Sequence, residues 1–353
     1  MPPTSDILTV HASAPTRVCD NGGWTDTWFA EYGTVFSIAV EPRVHVDIIA
    51  RPDDGSRPPI VIDARVFGDR YAPVGLERRS WGRHPLLEAA IVEVGVPPGL
   101  AVEITIDSEA PFGASIGTSA ATCVALIGAL DALRSRRRSN LDVARAAWRV
   151  ETEHLALQSG VQDQIAAAFG GINLIHVDAY PHAHVEPVDV APAVLAELQR
   201  RLVVVYLGAP HKSSAIHDIV IGDMVDRGPE AMPLEALRRA ARLAAHSLAA
   251  GDLDAFGRAL TANTNAQREL HEGLVGPLAE MVIDVADRCG AIGHKVNGAG
   301  GDGGAITLLT DGDPGRNRRL LDGVTAIGHG CAVLPIRLSS DGLLVERDEC
   351  PGH

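Results

Sequence analysis

The chain has 353 residues, of which 46% are apolar and 22% charged, and its net charge is -14. That length exceeds one small core and implies two domains or a large composite one. The acidic balance excludes a partner recognised through its phosphate backbone, which would gather Lys and Arg, so no nucleic acid is expected.

The residues from Met1 to Asp6 carry Pro and Asp in place of a basic run followed by an apolar stretch. No signal peptide is expected, and the cytoplasm is the expected compartment. No segment approaches the roughly 18 apolar residues of a membrane span, so no membrane partner is expected either. Ser13 to Asp26 is a polar loop beside a strand, with one Arg, two Asp and a Gly22-Gly23 turn. Val35 to Val40 is a short apolar strand; Val44 to Ile49 and Ala101 to Ile106 alternate with period two and read as strands with one buried face. Thr118 to Leu133 is rich in Ala and Leu and free of Pro, which predicts a helix. Leu141 to Leu157 predicts a second helix. Arg134 to Arg138 between them reads as a solvated basic loop. Ile172 to Val177 and Leu202 to Leu207 read as strands. Pro187 and Pro192 interrupt the pattern and set an expected domain division, 1–190 and 191–353. Three helices come next, Pro233 to Ala250, Leu253 to Leu270 and Pro277 to Cys289, then a strand from Ala305 to Leu309. Val333 to Leu338 and Leu343 to Glu346 read as a closing hairpin around Ser340 to Gly342.

The five cysteines have neither an even count nor a CxxC pair, so neither a disulfide framework nor a zinc site is indicated. His176, His182 and His184 fall within nine residues, but a metal needs more ligands than these supply.

Four segments carry candidate chemistry. Pro111 to Ala121 comes after a strand and opens an apolar helix. Gly113 and Gly117 permit close backbone approach to an anion, and the helix start adds free N–H groups and a positive dipole end. Thr118 and Ser119 place hydroxyls there. No Lys precedes them, so this is not a Walker A loop, and alone it reads equally as a tight turn capping a helix. Glu151 to Gln164 puts Glu151 near a helix end and Asp163 after a Ser-Gly turn; Asp163 reads either as an N-cap or as a base for a hydroxyl proton. Lys295 to Gly304 packs five glycines into seven residues, which suits close approach to a ligand or a flexible linker. The fourth is the loop from Ser13 to Asp26.

The order of these segments resembles the GHMP kinases: Ala14-Pro15-x-Arg17, then Pro111-x-Gly113-x-x-x-Gly117-x-Ser119-Ala120-Ala121, then a carboxylate turn, then Lys295-x-x-Gly298-Ala299-Gly300-Gly301. The resemblance runs from about residue 12 to the C-terminus. It implies an α+β fold of two domains, the first like ribosomal protein S5 domain 2 and the second ferredoxin-like, with ATP between them. Gly22 to Thr27 is similar to L-fucokinases, Ser159 to Asn173 to fucokinases and heptose 7-phosphate kinases, and Leu207 to Ser214 to a strand end of the same branch. The activity implied by this resemblance is that of an ATP-dependent sugar kinase acting at or near the anomeric hydroxyl, with a heptose 7-phosphate kinase or a non-catalytic sensor as alternatives.

The resemblance also implies the roles. Pro111, Gly113, Ala114, Ser115, Gly117 and Thr118 would cradle the ATP phosphates, with Gly298, Gly300 and Gly301 covering them from the second domain. Ser119 and Glu151 match the Mg2+ ligands, and Glu151 precedes Asp163 by the galactokinase spacing. Asp163 matches the base and Arg17 the arginine that stabilises transferring charge. Asp26, Trp24 and Gly23 match the sugar side, although Trp24 reads equally as a core residue. Expected partners are ATP and a small-molecule sugar, with a homodimer left open. Three departures stand out. Cys19 to Asn21 replaces an apolar or Gly-Glu-His stretch, Thr118 replaces a Ser, and Asp302 interrupts the glycines. Asp302 reads as a contact for a sugar hydroxyl or a second cation.

Overall fold

The computed structural model describes residues 7–350 apart from 112, 135–136 and 211–212. Part of the basic loop and part of the strand-end motif after Leu207 lie outside the described residues. The first strands are β1 (Ile7–Asn21) and β2 (Gly33–Pro52), antiparallel along most of β1. Val44, Val46, Ile48 and Ala50 are all buried, which is the predicted alternation. The two separate strands expected there are one long strand that bridges two neighbours. Its first part pairs with β6 (Ile172–Ala179) and its second with β5 (Leu100–Ser108). Before β5 come β3 (Ile60–Ala64), β4 (Asp69–Tyr71) and the helix α1 (Pro85–Val94), which carries Pro at its start.

The helices α2 (Thr118–Asp131), α3 (Asn140–Arg149) and α4 (Gln162–Phe169) join α1 on one face of this sheet. Ala, Val, Leu and Ile fill that core. The predicted helix over 141–157 ends earlier: α3 stops at Arg149 and passes into a π-helical turn over Val150–His154. The hairpin strand β7 (His182–Pro187) pairs with β6, and α5 (Pro192–Arg201) leads away from it.

A second sheet has four strands. It comprises β8 (Leu202–Leu207), then, after α6 (Ser213–Val225), α7 (Met232–Ala249), α8 (Leu253–Leu270) and α9 (Pro277–Arg288), the strands β9 (Gly293–Val296) and β10 (Ala305–Leu309), and after α10 (Pro314–Ile327) the strand β11 (Cys331–Leu334). Its order is β11-β8-β10-β9, antiparallel throughout. This is the fourth-first-third-second arrangement of a ferredoxin-like sheet. One hydrophobic cluster runs between the sheets: Val18, Phe36 and Ile38 pack with Leu202, Val204, Phe256 and Leu260, and Phe36 meets Phe256 edge-on at 5.7 Å. No helix among the described residues is long and apolar enough to cross a membrane.

The predicted closing hairpin does not form. β11 belongs to the second sheet, β12 (Arg337–Leu338) pairs with β2, and β13 (Leu344–Cys350) pairs with β1. The reason is tertiary. Arg43 of β2 donates to the carbonyls of Asp341 and Gly342, so the turn is pinned across the first sheet, and β13 continues along the free edge of β1.

Candidate functional site

Arg17 and Asp163 form the centre. Arg17 Nε donates to Asp163 Oδ1 at 2.8 Å and Nη2 to Oδ2 at 3.0 Å, a bidentate pair. Nη1 donates to the Ser115 carbonyl at 2.5 Å, and the Arg17 amide to the Ile116 carbonyl at 2.8 Å. One arginine thus ties β1, the glycine loop before α2 and the start of α4. Its side chain is 4% exposed against 31% for Asp163, so the carboxylate lies on the open side. Burial alone would lower the arginine pKa, but Asp163, Asp20 and Asp26 more than offset it and raise it, leaving the guanidinium charged.

Asp163 sits in the first turn of α4, and Asp26 places that turn. Asp26 Oδ2 accepts the amides of Val161 at 2.9 Å and Gln162 at 3.0 Å, capping free N–H groups of the helix. A Cβ on Gly160 would fall 2.0 Å from Asp26 Oδ2, so this approach requires glycine there. Burial pushes the Asp26 carboxyl up to about 6, the Gln162 and Val161 amides oppose the rise, and the charge of Asp163 adds to it. One oxygen of the carboxylate expected to hold a sugar hydroxyl is therefore engaged in positioning the helix. Trp24 is 6% exposed and packs against Phe29 in a cluster with Leu234 and Leu237, the packing role that its sequence context also allowed. Gly23 stays beside the site, with an ideal Cβ 3.2 Å from Asp20 Oδ2 and 3.3 Å from Gln162 Nε2.

Gly117, at φ 76°, is the N-cap of α2 and touches the same centre, since a Cβ there would lie 3.2 Å from Arg17 Cγ and 3.7 Å from Asp163 Oδ2. Gly113 and Ser115 also adopt positive φ, and Ala114 is fully buried beneath the loop, its amide reaching the Pro111 carbonyl. The loop thus presents backbone amides at the start of a long helix, a natural anion cradle. Thr118 Oγ1 is buried without a partner, whereas Ser119 is exposed in the first turn. Ser119, Thr118 and Glu151 line a cavity of about 370 Å³ whose walls also include Val66, Phe67 and Leu87. Apolar walls beside an anion cradle suit a nucleotide base next to its phosphates.

Glu151 lies in the π-helical turn, and its Oε2 accepts from Ser159 Oγ at 2.6 Å and Gln164 Nε2 at 2.9 Å. Burial pushes its carboxyl up to about 7, the Ser159 and Gln164 hydrogen bonds oppose this, and the charge of Asp163 adds to it. A half-buried carboxylate with only neutral donors, facing the same cavity as an exposed hydroxyl, fits a hard cation that takes its remaining oxygens from phosphate and water. Among the described residues no group of three His, Cys, Asp or Glu side chains could hold a metal by itself. His176 and His184 instead stack on each other and pair with Glu186 and Asp178.

From the second sheet, Gly298 reaches the centre, where a Cβ would fall 3.1 Å from Ser115 Cβ and 3.6 Å from Arg17 Nη2. Gly300 and Gly301 turn elsewhere: the Gly301 amide donates to the Leu274 carbonyl at 2.8 Å and the two glycines pack on the turn before α9. Asp302 is exposed, its Oδ1 2.7 Å from where a Cβ on Gly276 would be, just ahead of α9.

Sequence reasoning missed a buried ion pair. Lys295 Nζ lies 3.3 Å from Asp20 Oδ1, both side chains at most 1% exposed, and Asp20 Oδ2 accepts the Gly298 amide at 2.9 Å. With the Asn263 carbonyl oxygen on the Gly22 amide at 2.7 Å, this locks the end of β1 and the turn after it to the second domain. The signal was present as the unexplained polar stretch from Cys19 to Asn21 and as Lys295 at the head of the glycine run.

A family model described as the GHMP kinases N terminal domain matches residues 86–171. A galactokinase of Mycobacterium tuberculosis (strain ATCC 25177 / H37Ra) is 29% identical, with 88% of this chain and 91% of that protein covered. A mevalonate kinase of Pyrococcus abyssi is 30% identical over 96% of this chain and 98% of its own length. The chain belongs to the GHMP kinases. A solved galactokinase from Lactococcus lactis complexed with galactose superposes with a TM-score of 0.73 over 95% of each chain at 16% identity, the same fold. As a member of this family the protein is an ATP-dependent phosphotransferase acting on a small molecule. In this GHMP kinase Arg17 and Asp163 stand at the mouth of the cradle formed by the loop before α2.

Proposed function

We propose that this GHMP kinase transfers the γ-phosphate of ATP to the anomeric hydroxyl of a free, uncharged sugar. The observation that carries the reading is the bidentate Arg17–Asp163 pair set directly against Gly117 at the start of α2. A carboxylate there meets a hydroxyl on one side and the bound phosphates on the other. Asp163 accepts the hydroxyl proton as the oxygen attacks phosphorus, and Arg17 stabilises the charge on the transferring group. The helix start and loop amides hold the phosphates, and Ser119 with Glu151 would hold Mg2+, which when bound neutralises phosphate charge. Phosphoryl transfer asks chiefly for such positioning and electrostatics.

The charge balance of the acceptor side supports an uncharged sugar. Mevalonate carries a carboxylate and a heptose 7-phosphate a phosphate, and either needs a free cation. Among the described residues around Asp163, the cations Arg17 and Lys295 are already paired with Asp163 and Asp20, and the other polar groups there include Asp26 and the Gln162 amide. The anomeric assignment is supported by the likeness of Gly22 to Thr27 to fucokinases and by the greater acidity of an anomeric hydroxyl, which a carboxylate base deprotonates more readily. The test is ADP release against free hexoses, heptoses, uronic acids, sugar phosphates and mevalonate, followed by mild acid treatment of the product. An acid-labile, non-reducing phosphate is expected. A reducing, acid-stable product overturns the anomeric assignment, and turnover confined to mevalonate or a sugar phosphate overturns the uncharged acceptor.

A further inference from the structure

α3 does not end as a helix of its composition ordinarily would. After Arg149 the backbone widens into a π-helical turn, in which the Leu155 amide donates to the Val150 carbonyl at 3.2 Å. The Glu151 carbonyl, which regular α-helical bonding would give to Leu155, accepts from Leu157 at 2.9 Å instead. A π-helical turn inserts a residue and rotates the side chains around it, and such turns concentrate at functional sites. Here it carries Glu151 toward Ser159, Gln164 and the cavity.

One side chain outside the turn grips both of its ends. Glu93, on α1, accepts at Oε1 from the Arg149 guanidinium, whose Nε lies at 3.0 Å, and at Oε2 from His154 Nε2 at 2.9 Å. A carboxylate only accepts, so His154 Nε2 bears the proton. Arg149 is the last residue of α3 and His154 the last of the π turn. Glu93 and His154 are 12% and 6% exposed. Trp81 Nε1 adds a bond to the His154 carbonyl at 3.2 Å. The start of α1 lines the nucleotide-side cavity with Pro85, Leu86 and Leu87. One helix thus borders that cavity and spans the turn that carries Glu151.

We infer that Glu93 is a positioning residue for the metal site: by holding Arg149 and His154 at the two ends of the π-helical turn, it fixes the backbone that aims Glu151 at the Ser119 side of the cavity. The inference rests on Glu151 being a ligand of the nucleotide's cation. Glu93→Gln keeps the size of the side chain but leaves one carbonyl oxygen where two carboxylate oxygens each took a donor, so one end of the turn is released. Outer partners of metal ligands typically contribute tenfold or more to metal affinity.

The experiment is a double-mutant cycle on Mn2+ binding, measured by calorimetry with the protein saturated by a non-hydrolysable ATP analogue. Glu93→Gln should weaken Mn2+ about tenfold, and Glu151→Gln at least as much. The double variant should be no weaker than Glu151→Gln alone, because a positioning residue has nothing left to position. Metal-free nucleotide affinity should be unchanged in Glu93→Gln. An unchanged Mn2+ affinity in Glu93→Gln overturns the inference, as does a loss that adds to that of Glu151→Gln, which would mark a general structural role. If Glu151→Gln itself leaves Mn2+ binding intact, the assignment of Glu151 as ligand fails, and the inference falls with it. Should Glu93→Gln not fold, His154→Phe releases the other end and takes its place in the same cycle with the same outcomes.

Discussion

Asp163 and Glu151 are two carboxylates of one site in opposite electrostatic situations. Asp163 meets a guanidinium in two hydrogen bonds, so its charge is compensated within the protein. Glu151 meets only a hydroxyl and an amide, and burial pushes its carboxyl up to about 7. Position is fixed in both cases, but only the first is balanced. A charge-balanced carboxylate suits the proton acceptor of a hydroxyl; a half-buried carboxylate lacking a positive partner suits a cation that arrives with the nucleotide.

The sharpest way to break this comparison is Asp163→Asn. It should lower kcat by about two orders of magnitude or more, the usual worth of a general base, while nucleotide affinity measured by calorimetry stays near normal. Wild-type turnover would remove Asp163 from the chemistry. Glu151→Gln should act differently, raising the Mg2+ concentration for half-maximal rate by about tenfold; an unmoved midpoint would erase the distinction between the two groups.

The pH dependence sharpens the same contrast. A carboxyl raised to about 7 gives up its proton in the metal-free protein only as pH climbs through that value. Below about 7 the cation must displace that proton, so the Mg2+ midpoint should rise as pH falls, by up to about tenfold per unit, and level off above it. Glu151→Gln should flatten this profile. The linkage to stability has the opposite sense. Between the ordinary carboxyl value of 4.5 and about 7 the folded, metal-free protein binds more protons at Glu151 than the unfolded chain. Its stability should therefore fall as pH rises through that window. A denaturation midpoint that rises there in wild type relative to Glu151→Gln would contradict the assigned shift.

Gly160→Ala tests the support under Asp163. The added carbon would sit 2.0 Å from Asp26 Oδ2 and push the carboxylate off the amides of α4. A loss of about 1–3 kcal/mol in chemical denaturation is expected, with slower turnover from a displaced Asp163. The smallest effect belongs to Asp302→Gly. The sequence suggested a substrate or cation contact for Asp302; its carboxyl is exposed beside Gly276, the residue before α9, where no more than a helix-dipole contribution is expected of it. A change under about 1 kcal/mol and unaltered sugar KM and metal midpoint are expected; a shifted KM would return Asp302 to the substrate side.

Most of the candidate site was legible as an ordered set of short segments. Arg17, the loop from Pro111 to Ser119, Glu151 and Asp163 each lie in a stretch whose composition announces it, and the fold brings them together. Asp26 and Trp24 were expected on the sugar side, and their contacts were not legible. One caps α4 and the other fills a hydrophobic cluster, and both depend on partners far along the chain. Asp20 and Lys295 each stood out in the sequence, but their pairing could not be read there, because a buried ion pair depends on two positions meeting in space.

The sequence by itself determined where several helices and strands lie, because hydrophobic period and glycine placement act within a few residues: α2, α7, α8 and β10 stand close to where the pattern puts them, whereas Ser13 to Asn21, read as polar loop, are strand β1 because β2 pairs with them. The tertiary structure alone decided the ends and the pairings. The last strand joined β1 rather than folding back on its neighbour because β1 offered an open edge and Arg43 held the turn. The helix expected through Leu157 became a π-helical turn at Val150 where Glu93 grips both sides of it. Local propensity ranks alternatives separated by a few tenths of a kcal/mol per residue, and a buried hydrogen bond from a distant side chain outweighs such differences.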